Sequence, residues 1–112
     1  MNLENAKQQM KKGILEYCAL AIISRGEVYA SDILMEMKAA NLLVVEGTLY
    51  PMLTRLKNEG LVNYKWVESK SGPPRKYFQL TPSGTQFIQE LDQTWHDLIE
   101  AVTTITTKKQ SN

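Results

Sequence analysis

The side chains best suited to chemistry in this sequence are hydrogen-bonding groups and cations that concentrate in one stretch, residues 48–76. The first group follows helical spacing and consists of Thr48, Tyr50, Thr54, Arg55 and Asn58. Arginine recognises guanine and asparagine recognises adenine in the DNA major groove. The pattern therefore predicts a helix face that binds base edges or phosphates. An ordinary solvated helix face is the alternative, but such a face usually carries more Glu and Lys.

A second group consists of three cations around a pair of prolines: Lys70, Arg75 and Lys76 beside Pro73 and Pro74. Segment 61–80 carries four basic residues against one acidic residue, whereas segment 1–60 carries seven of each. A rigid turn presents cations at low entropic cost, and cations bind phosphates whatever the base sequence. We expect phosphate contacts here; a solvated basic hairpin and an Arg75–Glu68 ion pair are the alternatives.

Residues suited to catalysis are scarce. The chain contains one histidine, His96, and one cysteine, Cys18, and the periodicity predicts them on different helices. No metal-ligand spacing, nucleotide-binding loop or nucleophile motif is present in the sequence. We therefore expect no catalytic residues, no metal and no cofactor, and interpret Cys18 as a structural thiol.

Composition limits the size of the domain and the compartment that the chain suits. A chain of 112 residues with 43% apolar residues suffices for one modest core, and the net charge is only +1. A single cysteine excludes an internal disulfide and fits a reducing compartment. No segment approaches the ~18 apolar residues that a membrane span needs. We expect a cytoplasmic protein that does not enter a membrane.

The elements that must position these groups follow from periodicity and stop signals. Helices are predicted over residues 5–24, 31–40, 48–59 and from 82 to about 102, with Ser31, Asp32 and Thr81 as caps. Strands are predicted over 61–68 and 75–80, joined by a turn at 69–74. A polar-faced helix, a glycine stop, a strand, a basic turn and a second strand describe a helix-turn-helix with a wing. The fold class is therefore α+β, mainly α.

Two apolar stripes predict a dimer. The first helix contributes Ile14 and Tyr17, and the last contributes Leu91, Trp95, Leu98 and Val102. These stripes are broader than one small domain can bury, so a second copy is expected to cover them. Residues 1–80 then form the DNA-binding domain, 81–107 the dimerisation helix and 108–112 a disordered tail. Trp95 has two interpretations: packing in the dimer core, or the aromatic wall of a ligand cavity.

The sequence resembles the PadR family of winged-helix regulators. The matching segments, in the order of the family, are 28–30 (VYA), 46–51 (EGTLYP), 55–56 (RL), 59–62 (EGLV), 72–77 (GPPRKY) and 80–84 (LTxxG). Each is weak alone, but together they span nearly the whole chain. The single long C-terminal helix resembles the short subgroup of the family.

The resemblance implies a homodimeric repressor that binds double-stranded DNA. Family DNA-contact positions correspond to Tyr29, Thr48, Tyr50, Pro51 and Arg55 near the recognition helix, and to Lys70, Arg75 and Lys76 in the wing. One departure is Ala30, where the family often has glycine. Some short members bind small aromatic effectors at the dimer interface beside a tryptophan that matches Trp95.

Two alternatives from other functional classes stay open. A winged helix can serve as a protein-interaction module, in which case the wing cations would contact an acidic protein surface. The chain can also act chiefly as a multidrug-type sensor of small molecules, with Trp95 at the pocket.

Overall fold

The computed structural model describes residues 2–108, which form four helices and one antiparallel sheet with strand order β1-β3-β2. The elements in chain order are α1 (Leu3–Ser24), β1 (Val28–Tyr29), α2 (Ala30–Ala39), α3 (Glu46–Asn58), β2 (Val62–Ser69), β3 (Gly72–Leu80) and α4 (Pro82–Thr107). The predicted class is confirmed: the fold is mainly helical, with a wing after the third helix and a long C-terminal helix.

The core lies between the first three helices and one face of the sheet. Its fully buried large side chains are Leu20, Ile23, Ile33, Met37, Leu49, Leu53 and Val62. The predicted apolar face of α3 is entirely buried, because Met52 and Leu56 join Leu49 and Leu53. Cys18 is half-buried on α1, and burial raises the pKa of its thiol, which favours a protonated structural side chain.

The starts of α2 and α3 differ from the prediction. Helix α3 begins at Glu46 rather than at residue 48, since the Val45 carbonyl already accepts a hydrogen bond from the Thr48 N–H at 3.0 Å. Helix α2 begins at Ala30, so Ser31 and Asp32 lie within its first turn instead of preceding it. The Asp32 carboxylate nevertheless accepts a hydrogen bond from the backbone N–H of Tyr29 at 3.0 Å.

The wing is longer than predicted and its turn is shorter. Strands β2 and β3 continue until only residues 70 and 71 remain in the turn, with Ser69 opposite Gly72. Pro73 and Pro74 therefore lie in β3, where a turn was expected. Proline is tolerated there because β1 pairs only with Tyr77 and Phe78, which leaves the proline end of β3 as an edge on that side.

Helix α4 projects from the rest of the chain. Its N-terminus is capped as predicted: the Thr81 hydroxyl accepts a hydrogen bond from the Gly84 N–H at 2.9 Å. The helix continues past residue 102 to Thr107, and the Thr106 and Thr107 hydroxyls donate to carbonyls one turn earlier. The Cα radius of gyration, 16.8 Å, exceeds the ~13 Å of a compact domain of this length because α4 extends outward.

Two further predictions concern the membrane and the tail. Among residues 2–108, no helix has both the length and the apolar character needed to cross a bilayer. Of the predicted disordered tail, only Lys108 belongs to the described residues, and it caps the C-terminus of α4. Residues 109–112 lie outside them.

Candidate DNA-binding surface

Helix α3 presents a sparsely charged, hydrogen-bonding face opposite its buried side. The predicted recognition residues are all exposed: Thr48, Tyr50, Pro51, Thr54, Arg55 and Asn58. Tyr50, Thr54 and Asn58 are spaced four residues apart and so form one row along the helix. Pro51 is the sixth residue of α3 and lies beyond its first turn, so its missing N–H deprives the Gly47 carbonyl of the usual intrahelical donor. The row offers hydroxyl and amide groups suited to base edges.

Two residues of this face have partners within the chain. The Thr54 hydroxyl donates to the Tyr50 carbonyl at 3.1 Å, which leaves its oxygen as an acceptor and its methyl group exposed. The Arg55 guanidinium forms an ion pair with the Glu16 carboxylate on α1. Both ion-pair partners are solvent-accessible, so Arg55 remains exposed while it tethers α3 to α1.

The wing cation Arg75 lies against the start of α2. Its guanidinium carbon stacks 3.5 Å from the centre of the Tyr29 ring, and its Nη2 donates to the Ser31 hydroxyl at 2.9 Å. The Tyr29 ring in turn stacks on Tyr77, with 4.0 Å between ring centres. The guanidinium is thus directed towards α2 and away from the alternative partner Glu68.

Lys76 and Trp66 occupy the other face of the wing. The Lys76 ammonium lies 4.4 Å from the centre of the Tyr64 ring and 5.3 Å from that of Trp66. The Trp66 ring meets the Tyr64 ring edge-on, with 6.2 Å between ring centres, and is 62% exposed. It is exposed because the helical core covers this face of β2 only as far as Val62 and Tyr64.

A cleft of about 380 Å³ separates α3 from the wing and brings several predicted residues together. Tyr29, Tyr50, Arg75 and Lys76 line it, together with Trp66 and Ser31, which the sequence reasoning did not assign to the site. The alternation of strand β2 contained a signal for Trp66, because Tyr64 and Trp66 share one face. Ser31 had no such signal, since its role depends on a strand far along the chain. Lys70 lies exposed in the wing turn, outside this lining.

A second concavity, about 610 Å³, lies between α1 and α4. All six predicted dimer residues line it: Ile14, Tyr17, Leu91, Trp95, Leu98 and Val102. Leu98 and Val102 are about half exposed, at 51% and 54%. This groove is therefore an apolar face that one copy of the chain leaves open to solvent.

A polar pair lies at the edge of the apolar groove. The Tyr17 hydroxyl donates to the Asp92 carboxylate at 2.5 Å and so connects α1 with α4. This hydrogen bond, assisted by burial, raises the pKa of Tyr17 to about 12. The Tyr17 ring centre lies 6.2 Å from that of Trp95. The groove thus contains two aromatic rings and has one carboxylate at its edge.

Comparison with known proteins gives the same assignment as the motifs. Residues 19–90 match the model of the "Transcriptional regulator PadR-like family". A PadR-like transcription factor from Bacteroides fragilis is 54% identical, with 90% of this chain and 98% of that chain covered and a TM-score of 0.76. A PadR-like transcriptional regulator from Bacillus cereus is 36% identical, with coverage of 88% and 96% and a TM-score of 0.78.

A third structure includes nucleic acid. Bacillus subtilis PadR, solved in complex with operator DNA, is 25% identical, with a TM-score of 0.64. The match covers 70% of this chain but only 46% of that longer protein. Because the family model spans more than half of the sequence and the first two structures match nearly end to end, this chain belongs to the PadR-like family of transcriptional regulators.

Proposed function

We propose that this protein is a homodimeric PadR-type repressor that binds a pseudo-palindromic promoter site through α3 and the wing. The observation that carries the proposal is the cleft between them, where one residue of the hydrogen-bonding face of α3 meets wing cations. Tyr50 lies on the α3 side, and Arg75 and Lys76 lie on the wing side. This combination provides groups for base edges and groups for phosphates on one exposed surface.

The division of labour follows from the chemistry of the side chains. Asn58, Thr54 and Tyr50 on α3 are proposed to contact bases or nearby phosphates in the major groove. Lys70, Arg75 and Lys76 are proposed to bind backbone phosphates, which orient the protein without selecting a sequence. That the related Bacillus subtilis PadR was solved in complex with operator DNA supports DNA binding by this chain.

The dimer is supported by the apolar groove between α1 and α4. A second copy packed along α4 would cover Leu98, Val102 and Ile105, which are 51%, 54% and 71% exposed here. A two-fold dimer presents two α3 helices about 34 Å apart when it matches successive major grooves. The operator should then consist of two inverted half-sites. A dimer that occupies a promoter in this way would exclude polymerase, which is the physical basis of repression.

The central experiment is selection of bound fragments from genomic DNA by the purified protein, followed by titration of the recovered site at several salt concentrations. We expect affinity to fall steeply with salt, because each phosphate contact releases counterions. The double variant Arg75→Ala/Lys76→Ala should weaken binding to all sequences. Its salt slope should flatten by about 0.9 for each phosphate that the variant no longer neutralises.

A charge-matched control distinguishes the effect of the wing cations on DNA affinity from an effect of net charge. Lys7→Ala/Lys12→Ala removes the same two charges from exposed positions of α1. We expect this control to bind like the parent chain. Equal losses of affinity in the two double variants would contradict the wing assignment, and no salt-sensitive DNA binding at all would favour a protein-interaction module.

A second candidate function is favoured by the groove itself, which is large enough for a planar aromatic molecule and contains Trp95 and Tyr17. In this function a small aromatic effector binds at the dimer interface and alters DNA affinity. Quenching of tryptophan fluorescence by planar cationic compounds should be lost in Trp95→Phe and retained in Trp66→Phe. Absence of quenching across a broad panel of compounds would contradict an effector site.

A further inference from the structure

The guanidinium of Arg75 contacts two groups outside the wing turn, and a third group supports one of them. Tyr29 stacks against it at 3.5 Å, and the Ser31 hydroxyl accepts its hydrogen bond at 2.9 Å. Tyr77 supports the opposite face of the Tyr29 ring at 4.0 Å, with the two rings only 20° from parallel. An arginine exposed on a hairpin normally samples many rotamers, whereas these contacts favour one.

The short strand β1 accounts for this arrangement. Tyr29 pairs directly with Tyr77 across β1 and β3, which places the two rings on one face of the sheet. Arg75 precedes Tyr77 by two residues on β3, so its side chain emerges on the same face. Asp32 fixes the end of β1 by accepting the Tyr29 N–H. The chain then turns into α2, which brings Ser31 within reach of the guanidinium.

We propose that Ser31 and Tyr77 are positioning residues that preorganise Arg75 for a DNA phosphate. The proposal rests on the function proposed above, since it concerns how that site binds DNA. Tyr77 acts through Tyr29, and Ser31 orients one edge of the guanidinium while the remaining N–H groups stay free for phosphate oxygens. A planar guanidinium is suited to this task because it stacks and donates in a fixed fork, unlike a lysine ammonium.

Loss of preorganisation and loss of charge should have different effects on DNA affinity and its salt dependence. A variant that leaves Arg75 present but unsupported still forms the phosphate contact, so the salt slope should stay near that of the parent chain. Its affinity should fall, because the guanidinium must now lose rotamer freedom on binding. Arg75→Ala should instead lower both the affinity and the salt slope.

The test measures DNA affinity and salt dependence for single variants and for combinations with Arg75→Ala. Tyr77→Leu and Ser31→Ala should each weaken binding by about threefold to tenfold, the range expected for losing a cation–π support or a charge-assisted hydrogen bond. Arg75→Lys should weaken binding to a similar extent with an unchanged slope. In the Arg75→Ala background, Tyr77→Leu and Ser31→Ala should have no further effect.

Conservative variants provide the matched controls. Tyr77→Phe keeps the stacked ring and Ser31→Thr keeps the hydroxyl, so both should bind like the parent chain. If Tyr77→Leu and Ser31→Ala weaken binding as strongly without Arg75 as with it, they act independently of Arg75 and the proposal is wrong. The proposal also fails if the parent chain binds DNA and these variants bind equally well. A parent chain with no affinity for DNA overturns the proposed function itself.

Discussion

Gly84 has no space for a side chain beside the backbone of Leu61, and its replacement tests how α4 is attached. A Cβ built at this position would lie 2.0 Å from the Leu61 carbonyl oxygen and 2.9 Å from its carbon. The same carbonyl accepts the Thr81 N–H at 3.0 Å. Both clashing atoms are backbone, so no side-chain rotation can relieve the contact. In Gly84→Ala the N-terminus of α4 must move by about 1.5 Å to reach an ordinary contact distance.

The expected loss in the free energy of unfolding follows from the interactions that this movement breaks. Alanine in place of glycine favours a helix by about 1 kcal/mol. Against this gain, loss of the Thr81 cap costs about 1 kcal/mol. The hydrogen bonds that Thr81 donates to the carbonyls of Gly60 and Leu61 are also lost, at a cost of about 1 kcal/mol each. Strain in the packed core adds about 1–3 kcal/mol. We expect Gly84→Ala to lower the free energy of unfolding by about 3–5 kcal/mol, or the Tm by about 12–20 °C.

The assay is thermal unfolding followed by far-ultraviolet circular dichroism at equal chain concentration, because dimerisation makes Tm depend on concentration. The matched control is Gly47→Ala, where a Cβ would meet no atom within 4 Å. This control should be as stable as the parent chain or more stable by up to about 1 kcal/mol. A Gly84→Ala chain that melts together with the parent would refute the close packing of α4 on Leu61.

Three further predictions concern binding, pH and assembly. Arg55→Ala should weaken operator binding by about 1–3 kcal/mol and relax the preference at one base position. If the base preference is unchanged, Arg55 does not read a base and has only the structural role of its ion pair with Glu16. Hydrogen bonding to Asp92 raises the pKa of Tyr17 in the folded state from 10.0 to about 12. The contribution of the Tyr17 hydroxyl to the free energy of unfolding should therefore be complete below pH 10 and be lost between pH 10 and 12. In unfolding experiments at varied pH, Tyr17→Phe should not show this loss of stability between pH 10 and 12. Identical stability profiles for the variant and the parent chain would contradict the prediction. Leu98→Lys should yield monomers in sedimentation experiments, since a charge would replace an apolar contact, and a persistent dimer would place the interface elsewhere.

The helices were predictable because their period is local. The apolar side of α3 follows from the spacing of Leu49, Leu53 and Leu56, and the structure buries all three. Chain reversals were similarly encoded: Gly60 and Asn41 have positive φ values of 80° and 63°, a conformation that these residues adopt more readily than most. The order of the elements predicted the winged helix, and the family motifs added the PadR resemblance; the comparisons confirm both.

The sheet was less predictable because its pairing is not local. Strand β1 has only two residues, too few for any periodicity, and it exists because β3 offers it an antiparallel partner. The turn was predicted too long because prolines usually mark loops, whereas Pro73 and Pro74 here occupy an unpaired edge of β3. The DNA contacts assigned to α3 and the wing remain predictions.

By itself, the sequence determined which residue types face outward on each helix, where the chain reverses, and that cations concentrate in the wing. These properties depend on neighbours within about four residues, which is the range over which helix and turn preferences act. Only the tertiary structure decided that Arg75 rests on Tyr29 and Ser31, that Arg55 pairs with Glu16, and that Gly84 abuts Leu61. Such contacts join residues far apart in the chain, so they depend on strand register and on how the helices pack.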